Sequence, residues 1–156
     1  MSFDEQIRDL IDHAPQDGVT PALIEAIAPI LREFASRLRH LQYYIVRSVD
    51  QNWLVNYISR ADQTGDATVI YAFANLKDVA TGPNSLRDPQ LMAVPIPVTH
   101  LLFQMIAMEG IDSMIFFEVP GNTQTGTQIN RADLQAMIEA QLNVKVVPRV
   151  VPPDIA

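Results

Sequence analysis

Cysteine is absent from the 156 residues, lysine occurs only twice, and no apolar run approaches the roughly 20 residues that cross a bilayer. Each shortage closes a class of function. Without thiols there are no disulfides, zinc–thiolate centres, iron–sulfur clusters or cysteine nucleophiles, and nothing calls for an oxidising compartment. The 11 basic residues face 18 acidic ones, for a net charge of −7, which argues against general nucleic-acid binding because that binding neutralises phosphates with lysine and arginine. The N-terminal MSFDEQIRDL is acidic and amphipathic rather than basic and then apolar, so the expectation is a soluble, cytoplasmic chain with no membrane span. A hydrophobic share of 48% with 19% charged residues is too apolar for a disordered chain, and the length suits one cored domain.

Two amphipathic stretches come first. Phe3, Ile7, Leu10, Ile11 and Ala14 fall on one helical stripe, with Ser2 as N-cap and Asp4 and Glu5 in the first turn. Pro15 and Gly18 break the pattern, and Thr20-Pro21 reads as a cap followed by proline at the first helical position. Leu23, Ile27, Ile30, Leu31, Phe34, Leu38 and Leu41 continue a second stripe, with a kink expected at Pro29. Residues 1–41 are thus expected to be a helical pair packing on the core of the remainder.

From Gln42 the pattern turns strand-like. YYIVRS and WLVNYIS around VDQN predict a β-hairpin, and TVIYAFAN a third strand of the same antiparallel meander. LMAVPIP, with Pro95 and Pro97, suits a sheet edge. A helix follows over about Val98 to Glu109, with Gly110 as a left-handed cap. Met114 to Val119 is apolar at almost every position and predicts a central strand covered on both faces. After the polar loop Pro120 to Gln128, Asn130 and Asp133 form a variant capping box for a helix with Leu134, Ile138 and Leu142 inward. NVKVVPRV suggests a final short strand, and 148–156 a tail. The fold class is α+β: a mainly antiparallel sheet of about five strands covered by helices, over 42–147, with the two-helix addition in front.

This order of elements resembles a known family. The aromatic strands, VIYAFANLKDVA, the proline-bearing MAVPIPVTHLLFQMIAMEG, and IDSMIFFEVPGN running into a helix are similar to the SseB protein N-terminal domain over about residues 42–142. In that family the corresponding strand runs into an asparagine-proline-glycine turn; here Val119-Pro120-Gly121 is followed by Asn122, so the asparagine is displaced. The resemblance implies an α+β domain with no catalytic residues to carry over, and it points to interaction rather than chemistry.

The chemistry-bearing residues agree with that direction. His13, His40 and His100 stand on separate segments without a metal-ligand spacing, and solvated or capping roles suit them better. Asp62, Thr64 and Asp66 imitate the start of a calcium loop, yet Phe73 occupies the closing position. Gly121, Asn122, Thr123, Thr125 and Gly126 precede a helix and offer backbone N–H groups to an anion, without the lysine of a phosphate loop. Glu118 is either a solvent-edge residue or an arginine partner. Residues 1–30 carry six acidic residues against Arg8, whereas 31–60 carry Arg32, Arg37, Arg39, Arg47 and Arg60 against Glu33 and Asp50. Arg32 and Arg39 are therefore candidates for a partner surface, against the plain alternative that they complement the helix dipole. Trp53 and Tyr57 share a strand face and suit a core. The expectation is a non-enzymatic protein-interaction or regulatory module without cofactor or metal, its partner a protein or, through the N-terminal helices, a second copy. The alternative is a small anionic-ligand-binding domain using loop 120–130.

Overall fold

A computed structural model describes residues 2–59, 65–81 and 89–150, and of residues 59 and 143–150 the backbone alone. The chain runs α1 (Phe3–Asp12), α2 (Thr20–Ser36), β1 (Gln42–Ser48), β2 (Asn56–Ser59), β3 (Asp66–Ala72), α3 (Leu76–Thr81), β4 (Leu91–Pro97), α4 (Val98–Ala107), β5 (Ser113–Phe116), β6 (Thr127–Asn130) and α5 (Arg131–Val150). The class is α+β. The strands form a four-stranded sheet in the order β2-β3-β5-β6 and a separate β1-β4 ribbon. Among the described residues only β3 and β5 run parallel; the other ladders are antiparallel.

The expected hairpin is replaced by a different pairing. The chain does reverse after β1, where Ser48 N–H donates to Asn52 O at 2.8 Å and Leu54 N–H to Val46 O at 2.9 Å. It then diverges, because both edges of β1 are occupied. β4 takes one along its whole length, and Phe73 takes the other at Tyr44 through two bonds of 2.8 Å. β2 is left to pair with β3. As its prolines require, β4 lies at a ribbon edge.

Period-2 alternation divides the core. Tyr43 and Ile45 of β1, Ile70 and Ala72 of β3, and Met114 and Phe116 of β5 meet Ile27, Leu31 and Phe34 of α2, Leu101 and Met105 of α4, and Leu134 and Ile138 of α5. The opposite faces carry a smaller cluster of Val46, Phe73, Phe117 and Val79, the last from α3, with Tyr71 and Ile115 half-buried at its border. The central strand is thus covered by α2, α4 and α5 on one face and by the smaller cluster with α3 on the other. Most of the α1 and α2 stripes pack on the chain's own core, whereas Leu23 and Leu41, expected on the buried stripe of α2, are 38% and 46% exposed.

Several helix ends differ from expectation. Ser2 and Glu5 form the capping box of α1. At α2 the capping acceptor is Asp17, not Thr20: its carboxylate takes the N–H groups of Val19 and Thr20 at 2.9 and 2.7 Å and the Thr20 hydroxyl at 2.8 Å. Those bonds hold its pKa down to about 2. The helix continues through Pro29, which lies on its exposed side. Gly110 is not left-handed, and α4 stops earlier, with Met108 as its C-cap. The Arg131 guanidinium takes over its last carbonyls, Nε donating to Met105 O at 3.1 Å and Nη2 to Ile106 O at 2.6 Å. The NVKVVPRV stretch is helical to Val150 rather than a strand. Its valines cost a helix only tenths of a kcal/mol each once the earlier turns are held by packing.

Candidate functional site

A cleft of about 460 Å³ lies between α1, the start of α2, the far end of β1 and α4. The alternation of β1 explains its polar floor. Tyr43, Ile45 and Arg47 point to the same, helix-covered side; the first two are fully buried in the core, and Arg47 is the rung next to the 48–52 turn. Arg47 therefore enters a position that the pattern reserves for an apolar side chain. Its Nε is closed to solvent and has no hydrogen-bond partner among the described residues. Trp53, bridged to Arg47 across the turn, and Phe103 of α4 supply aromatic wall, with Leu10, Ile24 and Ile96 completing it.

Polar groups of α1 and α4 line the same cleft. His13 Nδ1 lies 3.0 Å from both the backbone oxygen and the Oδ1 of Asp9. That carbonyl and then the carboxylate raise the His13 pKa above its ordinary value. His100 Nε2 donates to Gln6 O at 2.9 Å and lies 3.6 Å from Asp9 Oδ2. Asp9 is thus occupied by two imidazoles, whereas the Arg47 Nε still has a donor to offer. Although Asp9, His13 and His100 touch, no group of three potential metal ligands is arranged to hold an ion among the described residues.

The candidate loop has a different setting from the one its sequence suggests. It leads into β6, not into a helix, so a helix dipole does not act on it. Gly121, in the left-handed region at φ +86°, gives its N–H to both carboxylate oxygens of buried Asp78 at 3.0 and 3.1 Å. The loop thereby already holds an anion belonging to the chain. Asn122 Oδ1 accepts from Gln124 N at 2.9 Å, and its Nδ2 donates to Thr125 Oγ1 at 3.4 Å. Thr123, Thr125 and Gly126 border a shallow second concavity of about 400 Å³ over Tyr71, Ile115 and Phe117. Gly126 packs so closely that a Cβ there would stand 2.8 Å from Phe116 O and 2.9 Å from Ile115 Cγ2.

The arginines separate. Arg32 Nε donates to Asp4 Oδ1 at 2.7 Å, tying α2 to α1. Arg37 pairs with Glu33 at 2.9 Å and lies over the Phe34 ring at 4.3 Å. Arg39 adjoins the base of the loop through its backbone N–H, which donates to Glu118 Oε2 at 3.2 Å. Arg60, like Asp62 and Thr64 of the calcium-like stretch, lies outside the described residues. The 31–60 basic stretch is therefore used in distinct places.

Glu118 is a buried junction rather than a solvent-edge residue. It accepts from the Tyr43 hydroxyl and the Arg39 N–H, and its backbone oxygen accepts from His40 Nε2 at 2.7 Å. Burial, followed by the neighbouring carboxylate, pushes the Tyr43 phenol pKa well up. His40 thus holds a turn closed. Trp53 packs on the main core as expected, but Tyr57 is 69% exposed. The sequence signal for the cleft was available in the charged third member of Tyr43, Ile45 and Arg47. The buried Gln6, set among apolar neighbours in α1, gave a similar hint.

The fold is thus α+β, with a mixed polar and aromatic cleft and, among the described residues, open strand edges at β2 and β6. No protein-family model matches the chain, and no curated protein matches it. Among the described residues no helix is long and apolar enough to cross a membrane.

Proposed function

We propose that this chain is a non-enzymatic protein-interaction module that receives a partner strand along β2. The observation that carries this is Tyr57: a tyrosine 69% exposed on a four-residue strand that is laddered on one side only among the described residues. An unpaired strand edge is a template for another chain, and tyrosine is enriched where partners dock because it brings large area and a hydroxyl with little entropy to lose. The kinship to the SseB N-terminal domain belongs to the same proposal. It rests on element order and turn residues over 42–142, and β6 is an element that order does not include.

The test is site-specific photocrosslinking in native cell extract, with the crosslinking amino acid at Tyr57 and, as control, at exposed Met137 on α5. A discrete adduct from position 57 that is absent from 137 and lost on competition with unlabelled protein is the expected result. An adduct of twice the chain's mass would make a second copy the partner. The same adducts from both positions, or none from 57, would refute docking at β2.

A further inference from the structure

The α1–α4 cleft contains a cation whose buried donor has nothing to bond among the described residues. Arg47 Nε is closed to solvent, so water does not serve it. A buried donor without an acceptor is unfavourable, and natural proteins keep such a group where something else completes it. The volume, about 460 Å³, lies toward the small end of the roughly 300–1,000 Å³ typical of ligand pockets, and the mix of aromatic wall with a few convergent polar groups is their usual chemistry.

We propose that this cleft binds a small organic carboxylate, its anionic group on the Arg47 guanidinium and its apolar body against Trp53 and Phe103. A planar carboxylate matches the guanidinium fork, and seating one on the Nε edge shifts the wall that closes that atom to solvent in the unliganded chain. A phosphate dianion fits less well. One guanidinium meets it, and Asp9 lines the same cleft in a chain of net charge −7. His13 Nδ1 and His100 Nε2 lie 3.0 and 3.6 Å from the Asp9 carboxylate oxygens, which offsets part of that group's repulsion of an incoming anion. His13 Nδ1–H is committed to Asp9, so Nε2 of that ring donates to the ligand carboxylate only when the imidazole is protonated.

The chain reports on its own cleft, because Trp53 is its single tryptophan. Intrinsic fluorescence of the full chain is titrated at low salt with benzoate, 3-phenylpropanoate, hexanoate, 3-phenylpropanamide and phenyl phosphate. The expected result is a saturable change with at least one carboxylate and binding at least about tenfold weaker for the amide, the loss of one charge-assisted hydrogen bond. Arg47→Met abolishes the response and Arg47→Lys retains part of it, in protein whose circular dichroism matches the wild type. No saturable change with any carboxylate, equal affinity for the amide, or full affinity in Arg47→Met would overturn the proposal. Tighter binding of phenyl phosphate than of every carboxylate would overturn the carboxylate assignment. The acid–amide comparison uses the wild-type chain, so it decides the matter even if the Arg47 variants fail to fold.

Discussion

Replacing Arg47 by methionine should make the folded protein more stable, not less. Methionine follows the arginine stem in shape and fills irregular apolar space, so the packing beside its bridge partner Trp53 is largely kept. What disappears is a buried donor without a partner, which costs a folded chain about 1–3 kcal/mol. Arg47 is only half-buried as a residue, and the exposed part of its guanidinium remains hydrated, so the gain belongs at the lower end, about 1 kcal/mol. For a chain of 156 residues that is a rise of roughly 2–4 °C in Tm. Urea unfolding followed by circular dichroism checks it: the midpoint rises and the slope stays the same. Arg47→Ala, which also removes the stem, should fall below Arg47→Met. A loss of more than about 1 kcal/mol in Arg47→Met would refute the reasoning, because it would mean that the guanidinium is satisfied in the native chain. A ligand at a hundred times its Kd should add about 2.7 kcal/mol to the wild type and nothing to the variant.

Tyr43→Phe removes the hydroxyl that serves buried Glu118 and should cost about 1–3 kcal/mol, read as a lower urea midpoint with unchanged slope. A neutral result would show that Glu118 finds another donor. Gly126→Ala places a methyl 2.8 Å from Phe116 O and should destabilise by about 1–3 kcal/mol in thermal unfolding; unchanged Tm would mean the loop lifts freely off β5. Asp17 titrates near 2 when folded, below its ordinary 3.8, so its contribution is fully present above pH 3.8 and is lost as pH falls through 2. The Tm gap between wild type and Asp17→Ala should therefore shrink over that window, and a carboxyl NMR midpoint at or above 3.8 would contradict the cap.

The helices were largely legible because α1 and α2 each carry a long 3.6-residue stripe, and Ser2 and Glu5 sit at the spacing of a capping box. β1, β3 and β4 were legible as strands, but their partners were not. Sequence adjacency favours a hairpin between 43–48 and 53–59, whereas the actual neighbours of β1 are Phe73 and β4, set by side-chain burial that no local window contains. The end of α4 departs from its local signal for the same reason: a glycine is a stop signal, but the carbonyls are capped by Arg131, more than 20 residues away. Of the candidate site residues, Arg39 and the loop at 121–126 do lie near Glu118, while Arg32 serves an ion pair with α1. The cleft as a whole is not legible in the sequence because His13, Arg47, Trp53 and His100 are brought together only by tertiary packing.

Gln6 is 1% exposed and joins segments far apart in the chain: its Nε2 donates to Leu41 O at 2.9 Å, and its Oε1 accepts from Thr99 N and Oγ1 at 3.0 and 2.7 Å. Its bonds to Thr99 add a distant anchor to the near one that Ile7 makes with Ile24 and Ala28 of α2, so α1 is seated by its neighbour in sequence and locked by α4. With only Gln6 and Ile7 fully buried, α1 should be the segment whose amides exchange first, opening the cleft without unfolding the sheet.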